Sequence, residues 1–184
     1  MTKALLLIDI QKTFRDGSWG HRNNESAELN AAKLLNKFRQ QNDLVIHINH
    51  RSENPSSRFF FENAGFEFQD LIMPLNNEIV ISKYVNSAFI GTNLKALLDN
   101  HKIDTLVIVG LTAPHCVSTT ARMAANYGYR TILVEDSTAS FAIENYNGKT
   151  FSAQEIHDIT IATLHDEFAQ ISSTKDFLVN YHNY

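Results

Sequence analysis

Short runs of Val, Ile and Leu punctuate the chain at Ala4–Ile8, Leu44–Ile48, Glu78–Ile81, Thr105–Val109, Thr131–Val134 and Phe168–Ile171. Each is continuous rather than alternating, the pattern of a strand buried on both faces of a parallel sheet. Helical periods lie between them. Residues Glu25 to Gln41 put Ala27, Leu29, Ala32, Leu34, Leu35 and Phe38 on one stripe, and a second helix, capped by Thr92, turns Leu94, Leu97 and Leu98 inward. Two further helices are read at Cys116–Tyr127 and from Ala153 to about Glu167, and a short last one at Thr174–Asn180. Strand and helix in alternation require right-handed crossovers. The expectation is a single-domain α/β fold, a doubly wound, Rossmann-like three-layer sandwich with a mostly parallel sheet of about six strands in the order 3-2-1-4-5-6.

One stretch breaks the alternation. Residues 50 to 78, HRSENPSSRFFFENAGFEFQDLIMPLNNE, have no clean period, two prolines and five phenylalanines. An irregular segment of that length in a compact domain is expected to be a functional lid.

With 184 residues, 43% of them hydrophobic, the chain can bury one good core and is short for two. The formal charge is −4 and the 16 Lys and Arg are scattered, which argues against a nucleic-acid partner. The apolar run at the amino terminus is too short for a signal peptide or a membrane span, so a cytoplasmic protein without membrane contact is expected. The single cysteine, Cys116, cannot form an internal disulfide.

That cysteine follows the fourth strand and the loop GLTAPH and precedes a helical pattern. A thiol at a helix amino terminus meets the positive end of the dipole and unpaired N–H groups, which lower its pKa and can hold an oxyanion. The alternative is a buried thiol that only fills space. Asp9 interrupts LLLIDIQ at the end of the first strand, where a carboxylate needs a partner, and beside a thiol it can serve as a general base; otherwise it caps the next loop. Lys83 closes IVISK at the end of the third strand, where a cation lowers the pKa of acidic neighbours; alone it reads as a solvated strand end. In an open α/β sheet the ligand site lies beyond the carboxyl ends of the strands where the winding reverses, here between strands 1 and 4.

The segments LLLIDIQKTF, KYVNSAFIGTNLKALL and LVIVGLTAPHCVSTTARMAANYGYRTILVEDSTASF resemble the blocks of the isochorismatase-like cysteine hydrolases, which include nicotinamidase, carbamoylsarcosine amidase, ureidoacrylate amidase and isochorismatase. The similarity runs from about Ala4 to Ile171. It implies a triad of Asp9, Lys83 and Cys116, a cis peptide between Leu111 and Thr112, and an oxyanion hole made by the backbone N–H groups of Thr112 and Cys116. Two departures stand out: Ala113 replaces a threonine common in the family, and HINHRSEN lacks the Asp-x-His metal arrangement of nicotinamidases. His47 and His50, three apart on a strand, point to opposite faces and suit no shared ion. No metal or organic cofactor is expected.

The implied activity is hydrolysis of a C–N bond in a small amide, ureide or carbamoyl substrate through a thioester. The rivals are vinyl ether hydrolysis of the isochorismatase type and a non-catalytic binding or scaffold protein. Candidate substrate-binding residues are Gln11, Phe14, His50, Phe60, Phe61, Phe89 and His115, with Trp19, Phe59, Phe66 and Phe68 as further aromatic candidates; core packing is the alternative for each ring. By analogy with relatives, a homo-oligomer is expected.

Overall fold

In a computed structural model, which describes residues 2–184, the chain forms a six-stranded parallel sheet between two helical layers. The elements run β1 (Lys3–Ile8), α1 (Ala27–Gln41), β2 (Leu44–His50), β3 (Ile79–Lys83), α2 (Leu94–Asn100), β4 (Thr105–Leu111), α3 (Ser118–Asn126), β5 (Arg130–Ala139), β6 (Ile143–Glu144), β7 (Thr150–Phe151), α4 (Ala153–Leu164), β8 (Gln170–Ser172) and α5 (Thr174–Val179). The sheet order β3-β2-β1-β4-β5-β8 is the doubly wound order expected from the alternation. Every residue of β1 and β4 is buried, which is why both read as unbroken apolar runs. Alternate side chains of β1 feed two cores. Leu5 and Leu7 pack with Leu34, Leu35 and Phe38 of α1 and Phe177 of α5, whereas Leu6 and Ile8 pack with Leu94 and Leu98 of α2, Ala121 of α3 and Leu164 of α4.

Asn93 precedes the first residue of α2 without a side-chain cap bond, and the capping contact comes from Thr92 as expected, its hydroxyl accepting from the Leu94 N–H at 3.3 Å and donating to the Ala88 carbonyl at 2.6 Å. Several local readings are corrected. The α4 helix opens on a capping box between Ser152 and Glu155 and stops at Leu164, short of Glu167. The small β6–β7 hairpin, two residues a strand, was not foreseen because it is too short to carry a period. Cys116 does not open α3: residues Ala113–Val117 form a π-turn, and α3 begins after it at Ser118.

Gly110 is what lets β4 lie against β1 at the site. Its φ is +122°, and a Cβ there would run into the backbone of Ile8. The irregular segment after β2 is folded, with short 3₁₀ turns at Ala64–Phe66 and Asp70–Ile72, and pairs back on the chain through Gln11 with Phe68 and Ser52 with Phe60. Among the described residues no helix is long and apolar enough to cross a membrane.

Candidate active site

Three strand ends and one turn converge where the winding reverses. Asp9 follows β1 in the left-handed region, φ +49°, its N–H donating to the Ile48 carbonyl at 2.9 Å. Lys83 ends β3, and in the parallel register of β2 with β3 it stands beside His50. Cys116 comes from the π-turn after β4. Asp9 and Lys83 are fully buried, and His50 keeps 19% of its side chain exposed.

The Lys83 ammonium sits at the centre. Its Nζ lies 2.7 Å from Asp9 Oδ2, 3.2 Å from Cys116 Sγ and 3.1 Å from His50 Nδ1. Three N–H donors thus face three acceptors. Asp9, His50 and Cys116 also form a compact set of metal-ligating atoms, within 4.8 Å of one another. With an ammonium already seated among them, the set fits a protonated amine and not a metal ion, which would have to displace a buried charge.

The electrostatics revise one expectation. Burial, and then the Asp9 carboxylate, push the Cys116 thiol up to about 12; Lys83 pulls the other way and is outweighed. The resting group is a thiol, because desolvation at a residue only 9% exposed exceeds what a helix end or a single cation returns. Burial raises the Asp9 carboxyl too, against the opposing Lys83 charge, which increases its affinity for a proton. Its second oxygen, Oδ1, is buried without a hydrogen-bond partner. A neutral thiol therefore lies near a carboxylate with a free acceptor atom. His50 is pushed down to about 4, by burial and then by Lys83, and is uncharged at neutral pH.

The turn carrying the cysteine is braced from within. The Leu111–Thr112 peptide is cis. The Thr112 carbonyl accepts from the N–H groups of His115 and Val117, and its hydroxyl pairs with His115 Nδ1 at 2.9 Å, a brace where Ala113 supplies no hydroxyl.

The substrate-binding candidates separate into two groups. His115 lines a cavity of about 360 Å³ together with Thr112, Pro114, Trp19, Arg58 and Phe141. Phe14 is buried beneath that wall, its ring tilted against Trp19 at 4.8 Å, edge-on to Phe59 at 5.6 Å and stacked on Phe141 at 6.1 Å. Gln11 holds protein backbone instead, its side chain clamping His50 by accepting from His50 N at 2.8 Å and donating to His50 O at 3.0 Å. Phe60 and Phe61 pair with each other, and the Arg51 guanidinium covers Phe61, away from the cavity lining. Phe89 is packed against Tyr127 and Tyr129 in the core. Arg58 and Phe141 were missed in the sequence. Arg58 is one cation in a polar stretch, and Phe141 carries no periodic signal; only their approach to Trp19, at 4.3 Å and 5.7 Å, shows what they build.

With this geometry established, comparison with known proteins is direct. Residues 3–176 match the isochorismatase domain family. The chain belongs to the isochorismatase family. It is 48% identical over 178 residues to the isochorismatase family protein YrdC of Bacillus subtilis, covering 97% of this chain and 95% of that one. A crystal structure of an isochorismatase-family hydrolase from Chromobacterium violaceum superimposes with a TM-score of 0.96 at 37% identity, over 100% of this chain and 95% of that chain. N-carbamoylsarcosine amidase from Thermoplasma acidophilum follows the same fold with a TM-score of 0.77 at 27% identity, covering 95% and 97% of the two chains. The protein is an isochorismatase-family hydrolase, in a family that includes amidases.

Proposed function

We propose that the protein cleaves the C–N bond of a small amide, ureide or carbamoyl compound through a thioester on Cys116. The observation that carries this reading is the buried contact of Lys83 Nζ with both Asp9 and Cys116, at 2.7 Å and 3.2 Å. Because the thiol is held up to about 12, its proton leaves only as the sulfur attacks, and it passes to the Asp9 carboxylate, which lies within 4.8 Å of the sulfur and has one oxygen without a hydrogen-bond partner. Lys83 remains charged between the two groups and stabilises the thiolate as negative charge moves from carboxylate to sulfur. The carbonyl oxygen receives the backbone N–H groups of Thr112 and Cys116. Collapse of the tetrahedral adduct breaks the C–N bond, the Asp9 proton passes to the leaving amine, and water deprotonated by Asp9 then hydrolyses the thioester. The cavity lined by Trp19, Arg58, Thr112 and His115 is where the remainder of the substrate is placed.

Ammonia release from a panel of small amides and ureides tests this. Cys116→Ala should lower turnover by at least ~10³ with the fold intact, and intact-mass measurement should show an acyl adduct on wild type alone. If Cys116→Ala turns over at near the wild-type rate while Asp9→Asn does not, the thioester is excluded and the vinyl ether route, which uses the aspartate alone, replaces it.

A further inference from the structure

His50 stands at the reacting groups without a part in the acyl chemistry above. It is held from three sides. The Gln11 side chain clamps its backbone N–H and carbonyl, and the Phe59 ring packs against its ring at a tilt, with centroids 4.7 Å apart. The parallel register of β2 with β3 sets it opposite Lys83. Its Nδ1 is 3.1 Å from Lys83 Nζ, 3.9 Å from Cys116 Sγ and 4.0 Å from Asp9 Oδ2. Among the described residues these are the titratable side chains that contact its ring nitrogen, from the end of β3, the π-turn after β4 and the end of β1, while the segment after β2 contributes the uncharged Phe59.

An ammonium has three N–H donors and no acceptor, so a contact at 3.1 Å with Nδ1 is a hydrogen bond only if Nδ1 carries a lone pair. That assigns the ring proton to Nε2. We propose that His50 is a positioning residue of this site, accepting the third N–H of Lys83 at Nδ1 and so aiming the other two at Asp9 and Cys116. The inference rests on the cysteine hydrolase reading above, since it concerns how that cation is held. Without His50, one N–H of a fully buried ammonium is left unsatisfied, which disfavours its charged form and removes the charge that stabilises the thiolate. A protonated His50 would present a second donor and a second cation to Lys83 and break the same bond. The low proton affinity of the ring, a consequence of burial and of Lys83 itself, keeps it an acceptor through the neutral range.

Two measurements that need no substrate test this. Nitrogen NMR of histidine-labelled wild-type protein should show His50 with an unprotonated, hydrogen-bonded Nδ1 and a protonated Nε2 from about pH 6 to 9; a protonated Nδ1 overturns the proposal. The second compares His50→Asn, whose Oδ1 replaces the acceptor at similar reach, with His50→Leu, which has a similar shape and no acceptor. Alkylation of Cys116 by iodoacetamide at about pH 9 should slow about tenfold in His50→Leu and stay close to wild type in His50→Asn. Equal rates in the two folded variants refute it; should either variant fail to fold, the wild-type nitrogen spectrum decides alone. The two readings fail separately. An active Cys116→Ala removes the thioester and leaves the Nδ1 assignment standing, whereas a protonated Nδ1 removes the positioning role and leaves the thioester standing.

Discussion

Asp9→Asn should make Cys116 more reactive toward an external electrophile while abolishing turnover. The carboxylate and the thiol lie within 4.8 Å of each other, and Asp9 is the largest charge acting to keep the thiol protonated. Two unit charges at that separation interact by about 3.5 kcal/mol at an effective dielectric constant near 20. Removing that repulsion raises the thiolate population by about 2.5 decades, since each decade corresponds to about 1.4 kcal/mol. Intrinsic nucleophilicity falls by a little under half of that gain as the thiol becomes more acidic, which leaves a net acceleration of about 25-fold. The assay is the rate of iodoacetamide addition at about pH 8, followed by intact mass, beside ammonia release on the same samples. Lys83→Met removes the opposing charge and should slow alkylation instead. The order Asp9→Asn, wild type, Lys83→Met in alkylation, with both variants poor in turnover, is particular to a thiol held protonated by its own base. If Asp9→Asn alkylates no faster than wild type, the carboxylate does not help to hold the thiol protonated and the role given to Asp9 is wrong.

Other outcomes follow from single contacts. Glu78 is held down to about 2: burial pushes it up, but Arg39 at 2.7 Å, the Leu75 N–H and His47 outweigh it. A carboxylate depressed in the folded state contributes stability above its unfolded pKa, about 4.3, and loses it as pH falls toward about 2. Urea unfolding should therefore show Glu78→Gln weaker than wild type at about pH 7, with the gap closing between about pH 5 and 2; a constant gap excludes the linkage. Gly110→Ala combines a positive φ with a collision on the Ile8 backbone and should lose roughly 3 kcal/mol or more of stability by denaturant titration. A loss below about 1 kcal/mol would show that β1 and β4 can separate there at little expense. Arg58→Met keeps the stem over Trp19 and removes the charge from the cavity wall, so the ratio of iodoacetate to iodoacetamide alkylation of Cys116 should fall severalfold. An unchanged ratio means that reagents reach the thiol by another path.

Much of the scaffold was legible before any coordinates. Strands buried on both faces, such as β1 and β4, must be apolar throughout, so a linear pattern marks them, and the alternation with helices leaves few windings. A charge that closes an apolar run marks a strand end, which is why Asp9 and Lys83 stand out from the other Asp and Lys residues. What the tertiary structure decided is everything that depends on distance between remote segments. The Lys83–His50 contact is a matter of parallel register between β2 and β3. The cavity wall joins Trp19, Arg58, His115 and Phe141, four segments with no common period. Gln11 was expected to be a substrate ligand, yet its amide meets the backbone of a residue 39 positions away. The thiol of Cys116 was expected to be acidified by a helix end. Its proton affinity is instead raised by desolvation and by a carboxylate over a hundred residues upstream, because local sequence sets a dipole whereas only packing determines how much water and opposing charge surround it.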